Sequence, residues 1–110
     1  MITVLVLHVG AAENRAQAEA LILRNTADAK KARGFVSRRI LYSVDDPLVC
    51  YSVTSWSTRA DLDAFRTRPG RPAVETEGKE GCIYERSDGG RRLLFSRSET
   101  TICIEAEEEP

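Results

Sequence analysis

The chain has 110 residues, of which 42% are hydrophobic and 30% charged, and its 16 basic and 17 acidic side chains leave a net charge of −1. That length suits one domain, and that composition suits a globular chain with an ordinary core. The even balance excludes an electrostatic case for nucleic acid or an anionic membrane surface as partner, and no apolar run approaches the ~20 residues of a membrane span.

Cys50, Cys82 and Cys103 are an odd set without C-x-x-C spacing. They argue against a disulfide framework or a metal site and predict small core residues in a reducing, cytoplasmic setting. The N-terminus lacks the basic segment of a signal peptide.

Ile2–Val9, ITVLVLHV, predicts a strand that is apolar on both faces, as in a central strand. His8 shares a face with Ile2, Val4 and Val6. It reads either as a hydrogen-bonded histidine near a strand end or as a pocket base, because its ordinary pKa lies near neutrality. Ala12–Arg33 predicts a long helix. Glu13 in the first turn and Lys30, Lys31 and Arg33 in the last suit the helix dipole, and Gly34 is the expected closing residue. Ala18, Leu21, Ile22, Asn25, Ala29 and Ala32 recur at helical spacing and predict the face that meets the sheet. Asn25 lies in mid-stripe and needs an internal partner or a ligand.

Phe35–Ser43 and Leu48–Trp56 predict a hairpin around the Asp45-Asp46-Pro47 turn. Arg38 and Arg39 are expected to reach solvent or a partner across an interface. In the third strand Cys50, Ser52, Thr54 and Trp56 share one side, and Val49, Tyr51, Val53 and Ser55 the other. Thr58 stands before Asp61 as a cap for a short helix, in which Leu62 and Phe65 form an apolar edge. Pro69, Gly70 and Pro72 stop it. Pro69–Gly81 reads as a loop, Cys82–Arg86 as a short strand, Ser87–Gly90 as a turn, and Arg92–Arg97 and Thr100–Ala106 as two further strands. Glu107–Pro110 reads as an acidic tail, so residues 1–106 form the single domain. The arginine groups Arg66, Arg68, Arg71 and Arg91, Arg92, Arg97 read as mostly solvated surface.

The order β-α-β-β-α-β is the ferredoxin-like α+β plan, an antiparallel sheet with its helices on one face. Strands apolar on both faces ask for a cover on the second face. A second copy supplies it and closes a dimeric α/β-barrel around a two-fold axis.

The first strand, the helix running into Gly34, the GFVSRRI strand, the VDDP turn and SVTSWSTRADLDAF together resemble the antibiotic biosynthesis monooxygenase family over roughly the first 72 residues. The resemblance implies a homodimer with a pocket between helices and sheet and places Trp56 in that pocket. Anthrone-oxidising members carry an asparagine where this chain has Ser52. Haem-degrading members carry an asparagine in the first strand, absent here, and a histidine where this chain has Arg66, so haem cleavage is not implied.

A cofactor-free oxygenase needs a base, donors for a developing oxyanion and a dry apolar cavity. His8 is the candidate base, and Trp56 the surface on which an aromatic substrate stacks. Asn25, Ser52 and Thr54 are candidate hydrogen-bonding residues, Phe65 a candidate wall, and Arg66 a candidate partner for a phenolate. Tyr51 points to the opposite face and is left out. No G-x-S-x-G, P-loop, G-x-G-x-x-G or H-E-x-x-H motif occurs. Two functions stand: a monooxygenase acting on a small or polycyclic quinol- or anthrone-like aromatic with O₂, using no metal and no organic cofactor, or a non-catalytic dimer that binds a small ligand or serves assembly. A small aromatic molecule and a second copy are the expected partners.

Overall fold

A computed structural model describes residues 1–72, 74–77, 81–87 and 89–106. The acidic tail expected at Glu107–Pro110 lies outside them. In chain order the elements are β1 (Ile2–Gly10), a 3₁₀ turn (Ala12–Asn14), α1 (Arg15–Lys30), β2 (Phe35–Tyr42), β3 (Val49–Trp56), α2 (Arg59–Arg66), β4 (Val74–Glu77), β5 (Cys82–Ser87) and β6 (Gly90–Ile104). The strands make one six-stranded sheet in the order β2-β3-β1-β6-β5-β4, with every neighbouring pair antiparallel. This is the α+β, ferredoxin-like plan with one more hairpin, β4–β5, inserted between α2 and the strand β6 that pairs with β1.

β1, apolar on both faces, lies between β3 and β6, where both its edges are hydrogen-bonded. Antiparallel register then builds cross-strand rows on the helix-covered face. Ile2 stands between Trp56 and Ile104, Val4 between Thr54 and Ile102, Val6 between Ser52 and Thr100, and His8 between Cys50 and Ser98. β2 extends these rows with Phe35, Arg38, Ile40 and Tyr42.

The core divides in two. Ala18, Ile22, Cys50, Leu94 and Phe95 form one buried cluster, and Val4, Ala29, Trp56 and Leu62 the other. The stripe expected for α1 is the face that packs, with Ala18, Ile22 and Ala29 fully buried. On β3, Ser52 and Thr54 are buried between the ends that carry Cys50 and Trp56. The expected cap on α2 forms: the Thr58 hydroxyl accepts from the Asp61 N–H at 3.1 Å and donates to the Asp61 carboxylate at 2.9 Å.

Three expectations are corrected. The helix is shorter than Ala12–Arg33. Its first residues wind as a 3₁₀ turn because the Asn14 amide donates to the Leu93 carbonyl at 2.8 Å and the Ala11 N–H to Leu94 at 2.9 Å, tying this turn to β6. Within the segment expected as a loop, Val74–Glu77 forms β4 against β5. The two expected C-terminal strands are one continuous strand, β6, of 15 residues. Nothing between Arg92 and Ile104 favours a turn, since no Gly, Pro, Asn or Asp occurs there. Its first half pairs with β5, its second with β1, and a register shift opposite Val9 and Gly10 joins the two.

The other face of the sheet carries Leu5, Leu41 and Tyr51, all exposed. Among the described residues no helix is long and apolar enough to cross a membrane.

Candidate functional site

A cavity of about 220 Å³ lies between the helices and the sheet. Val4, Val6, Ser52 and Thr54 line it from the sheet, Leu21, Ile22 and Asn25 from α1, and Leu62 and Phe65 from α2. Arg66 and Arg71, both exposed, stand at its edge with Pro72. All seven candidate residues, His8, Asn25, Ser52, Thr54, Trp56, Phe65 and Arg66, border this one space. Strand alternation explains the convergence from β1 and β3, since their inward sets face the same layer.

His8 and Trp56 stand at opposite ends. Trp56 pairs with Ile2, six residues before His8 on β1, which is roughly 20 Å along the strand. Trp56 is 1% exposed. The Phe65 ring lies 4.8 Å away in a tilted contact, and Phe35 meets it edge-on at 6.0 Å. Stacking of a flat ligand on Trp56 therefore requires Phe65 to swing aside. His8 Nδ1 and the Ser98 hydroxyl are 3.2 Å apart, and the Phe95 ring is 4.8 Å from the imidazole. Burial lowers the His8 pKa, and the positive charge of Arg38 lowers it further, to about 4. The imidazole is neutral at physiological pH and can accept a proton.

Asn25 finds an internal partner: its carbonyl accepts from Arg68 at 3.1 Å. Arg68 also pairs with Asp28 at 3.0 Å and lies over the Phe65 ring, so it is a partly buried bridge between the segment after α2 and α1, not the solvated arginine expected. Its Nε is buried with no hydrogen-bond partner.

Arg38 is the functional candidate that the sequence reading placed elsewhere. It turns inward beneath α1, donating from Nε to Thr26 at 2.8 Å and from Nη1 to Thr54 at 2.9 Å. Burial lowers its pKa from the usual guanidinium value. The signal was present in the alternation, because Arg38 shares its strand face with Ile40, an inward residue. Among the described residues no group of three His, Cys, Asp or Glu side chains is placed to hold a metal ion.

No family model and no curated protein matches this chain. Solved structures match it along its whole length. SnoaB of Streptomyces nogalater, described as a cofactor-independent oxygenase, superposes with a TM-score of 0.69 at 14% identity over 99% of this chain and 96% of its own. A putative antibiotic biosynthesis monooxygenase of Nitrosomonas europaea gives 0.69 at 15% identity over 97% and 100%. Rv0793 of Mycobacterium tuberculosis gives 0.69 at 16% identity over 99% and 98%. The chain has the antibiotic biosynthesis monooxygenase fold. At such identities the likeness is one of fold, and function has to be argued from the site.

Within this monooxygenase fold the cavity of the present chain has a marked electrostatic character. Arg38, Arg66, Arg68 and Arg71 line it, and among the described residues no aspartate or glutamate does.

Proposed function

We propose that the chain is a cofactor-independent monooxygenase that oxidises a small aromatic, quinol- or anthrone-like substrate with O₂, and that it works as an intracellular homodimer. The observation that carries this reading is a single cavity that joins a neutral histidine to an apolar wall and hydrogen-bond donors. The description of SnoaB as a cofactor-independent oxygenase supports it. A cavity of about 220 Å³ is smaller than the ~300–1,000 Å³ of sites for drug-sized ligands. Of the two substrate classes it favours a quinol of one or two rings over the tricyclic anthrone.

The chemistry asks the protein for little. His8 takes the hydroxyl or methylene proton of the substrate, and the resulting anion passes an electron to O₂. Recombination gives a hydroperoxide, and loss of water leaves a carbonyl, so a CH₂ group and O₂ become C=O and H₂O. A base of pKa about 4 facing a phenol of pKa ~10 leaves ~6 units, or ~8 kcal/mol, uphill. Arg38 closes part of that gap, because its charge stabilises the oxyanion that forms. Once neutralised by that oxyanion, it no longer depresses His8.

The near-complete burial of Trp56 favours a second reading, a dimer that binds a small ligand without turnover. Oxygen uptake with naphthoquinols and anthrones separates the two. Uptake lost in His8→Gln with the fold intact supports the enzyme. No uptake over the panel leaves the binding protein.

A further inference from the structure

We infer that the cavity selects an aromatic carboxylate of one or two rings, with its charged group held against Arg38. This rests on the oxygenase reading for its biological meaning, and its test needs no turnover.

Of the four lining arginines, only Arg68 has a carboxylate partner among the described residues, Asp28 at 3.0 Å. Arg66 and Arg71 stand at the edge, where water solvates them. Arg38 stands further in and is only partly exposed. It sits under α1, and its hydrogen bonds go to two neutral hydroxyls. Partial removal of a cation from water without a counter-charge is costly, so a guanidinium retained there points to an anion from outside. The bonds to Thr26 and Thr54 explain where the side chain lies. They do not explain its charge, since a glutamine amide can donate to such hydroxyls as well.

The fork is also half used. Nε and one Nη1 N–H are taken, and Nη2 has no acceptor among the described residues. The two threonines hold the guanidinium in place and leave its outer edge ready to donate to carboxylate oxygens. Beside these donors Val4 and Val6 continue the same sheet face, and Leu62 and Phe65 add apolar surface from α2. A charged head and an apolar body match this lining.

The test is calorimetric titration with 2-naphthoate and with 2-naphthalenemethanol, its uncharged counterpart, followed by competition with inorganic phosphate. The expected result is about tenfold tighter binding of the carboxylate. Arg38→Gln removes that preference, weakening binding of the carboxylate far more than of the alcohol, and Arg38→Lys keeps part of it. In wild-type protein, saturation with naphthoate raises the His8 titration seen by NMR, and the alcohol does not. That comparison decides the matter if Arg38→Gln fails to fold. Equal binding of both ligands, tighter binding of the alcohol, or no heat from either up to about 1 mM overturns the inference. So does displacement of naphthoate by phosphate at equal affinity, which would mean an anion site with no use for the ring. A carboxylate preference without oxygen uptake would sink the oxygenase reading alone. Uptake with neutral quinols and no such preference would sink this inference alone.

Discussion

Arg68 lays its guanidinium 3.9 Å from the centre of the Phe65 ring and donates to the Phe65 carbonyl at 2.8 Å. The same side chain reaches Asn25 and Asp28 on α1, so one residue fastens the end of α2 to the roof of the cavity. Arg68→Ala should lower stability by about 2 kcal/mol, because it leaves a half-buried carboxylate and a carbonyl without their donor. Arg68→Lys should recover little of this, since an ammonium cannot serve several acceptors in one plane and also stack. Urea unfolding of the three proteins checks the ranking.

His8 makes stability depend on acidity. Its folded-state pKa is lowered from 6.5 to about 4, by burial first and by Arg38 second. The unfolded chain therefore binds the extra proton in that window, and stability falls as pH drops through it. The full loss, reached below about pH 4, is roughly 3 kcal/mol. Subtracting the pH profile of His8→Gln from that of the wild type isolates this slope from the carboxylates that titrate nearby. A difference profile that stays flat between pH 4 and 6.5 would contradict it.

Gly34 has φ of +81°, and a Cβ added there would overlap the Asp61 side chain. Asp61 is already engaged by the Thr58 hydroxyl, and the Gly34 carbonyl accepts from Ser57 at 2.8 Å. Gly34→Ala should thus cost about 2–3 kcal/mol through backbone strain and the clash together. Adding Asp61→Ala should return only the part due to the clash, which a double-mutant cycle on thermal unfolding measures.

The face of the sheet away from the helices carries Leu5, Leu41 and Tyr51 at 39–46% exposure. If the proposed homodimer uses this face, the wild type should sediment as a dimer at micromolar concentration, and Tyr51→Lys as a monomer. A monomeric wild type would remove the barrel from the proposal.

Much of this protein was legible in its residues one after another. Alternation grouped His8 with Val4 and Val6 along β1, and Ser52 and Thr54 with Trp56 along β3, while only the β1–β3 register put the two sets on one layer; the spacing of Ala18, Ile22 and Ala29 marked the packed face of α1. Thr58 before Asp61 announced the start of α2. These are local properties, set by the periods of strand and helix and by the turn residues between them. What the tertiary structure alone decided depends on the route of the chain. The bond from Arg68 to Asn25 spans 43 residues, and only the docking of α1 beside α2 brings its ends together. β6 runs unbroken because it has a partner strand along each half, β5 first and then β1. Arg38 became an inward cation because α1 lies over it and Thr26 and Thr54 accept its hydrogen bonds. The pKa of His8 is lowered for the same reason, since burial and a neighbouring charge come from residues distant in sequence.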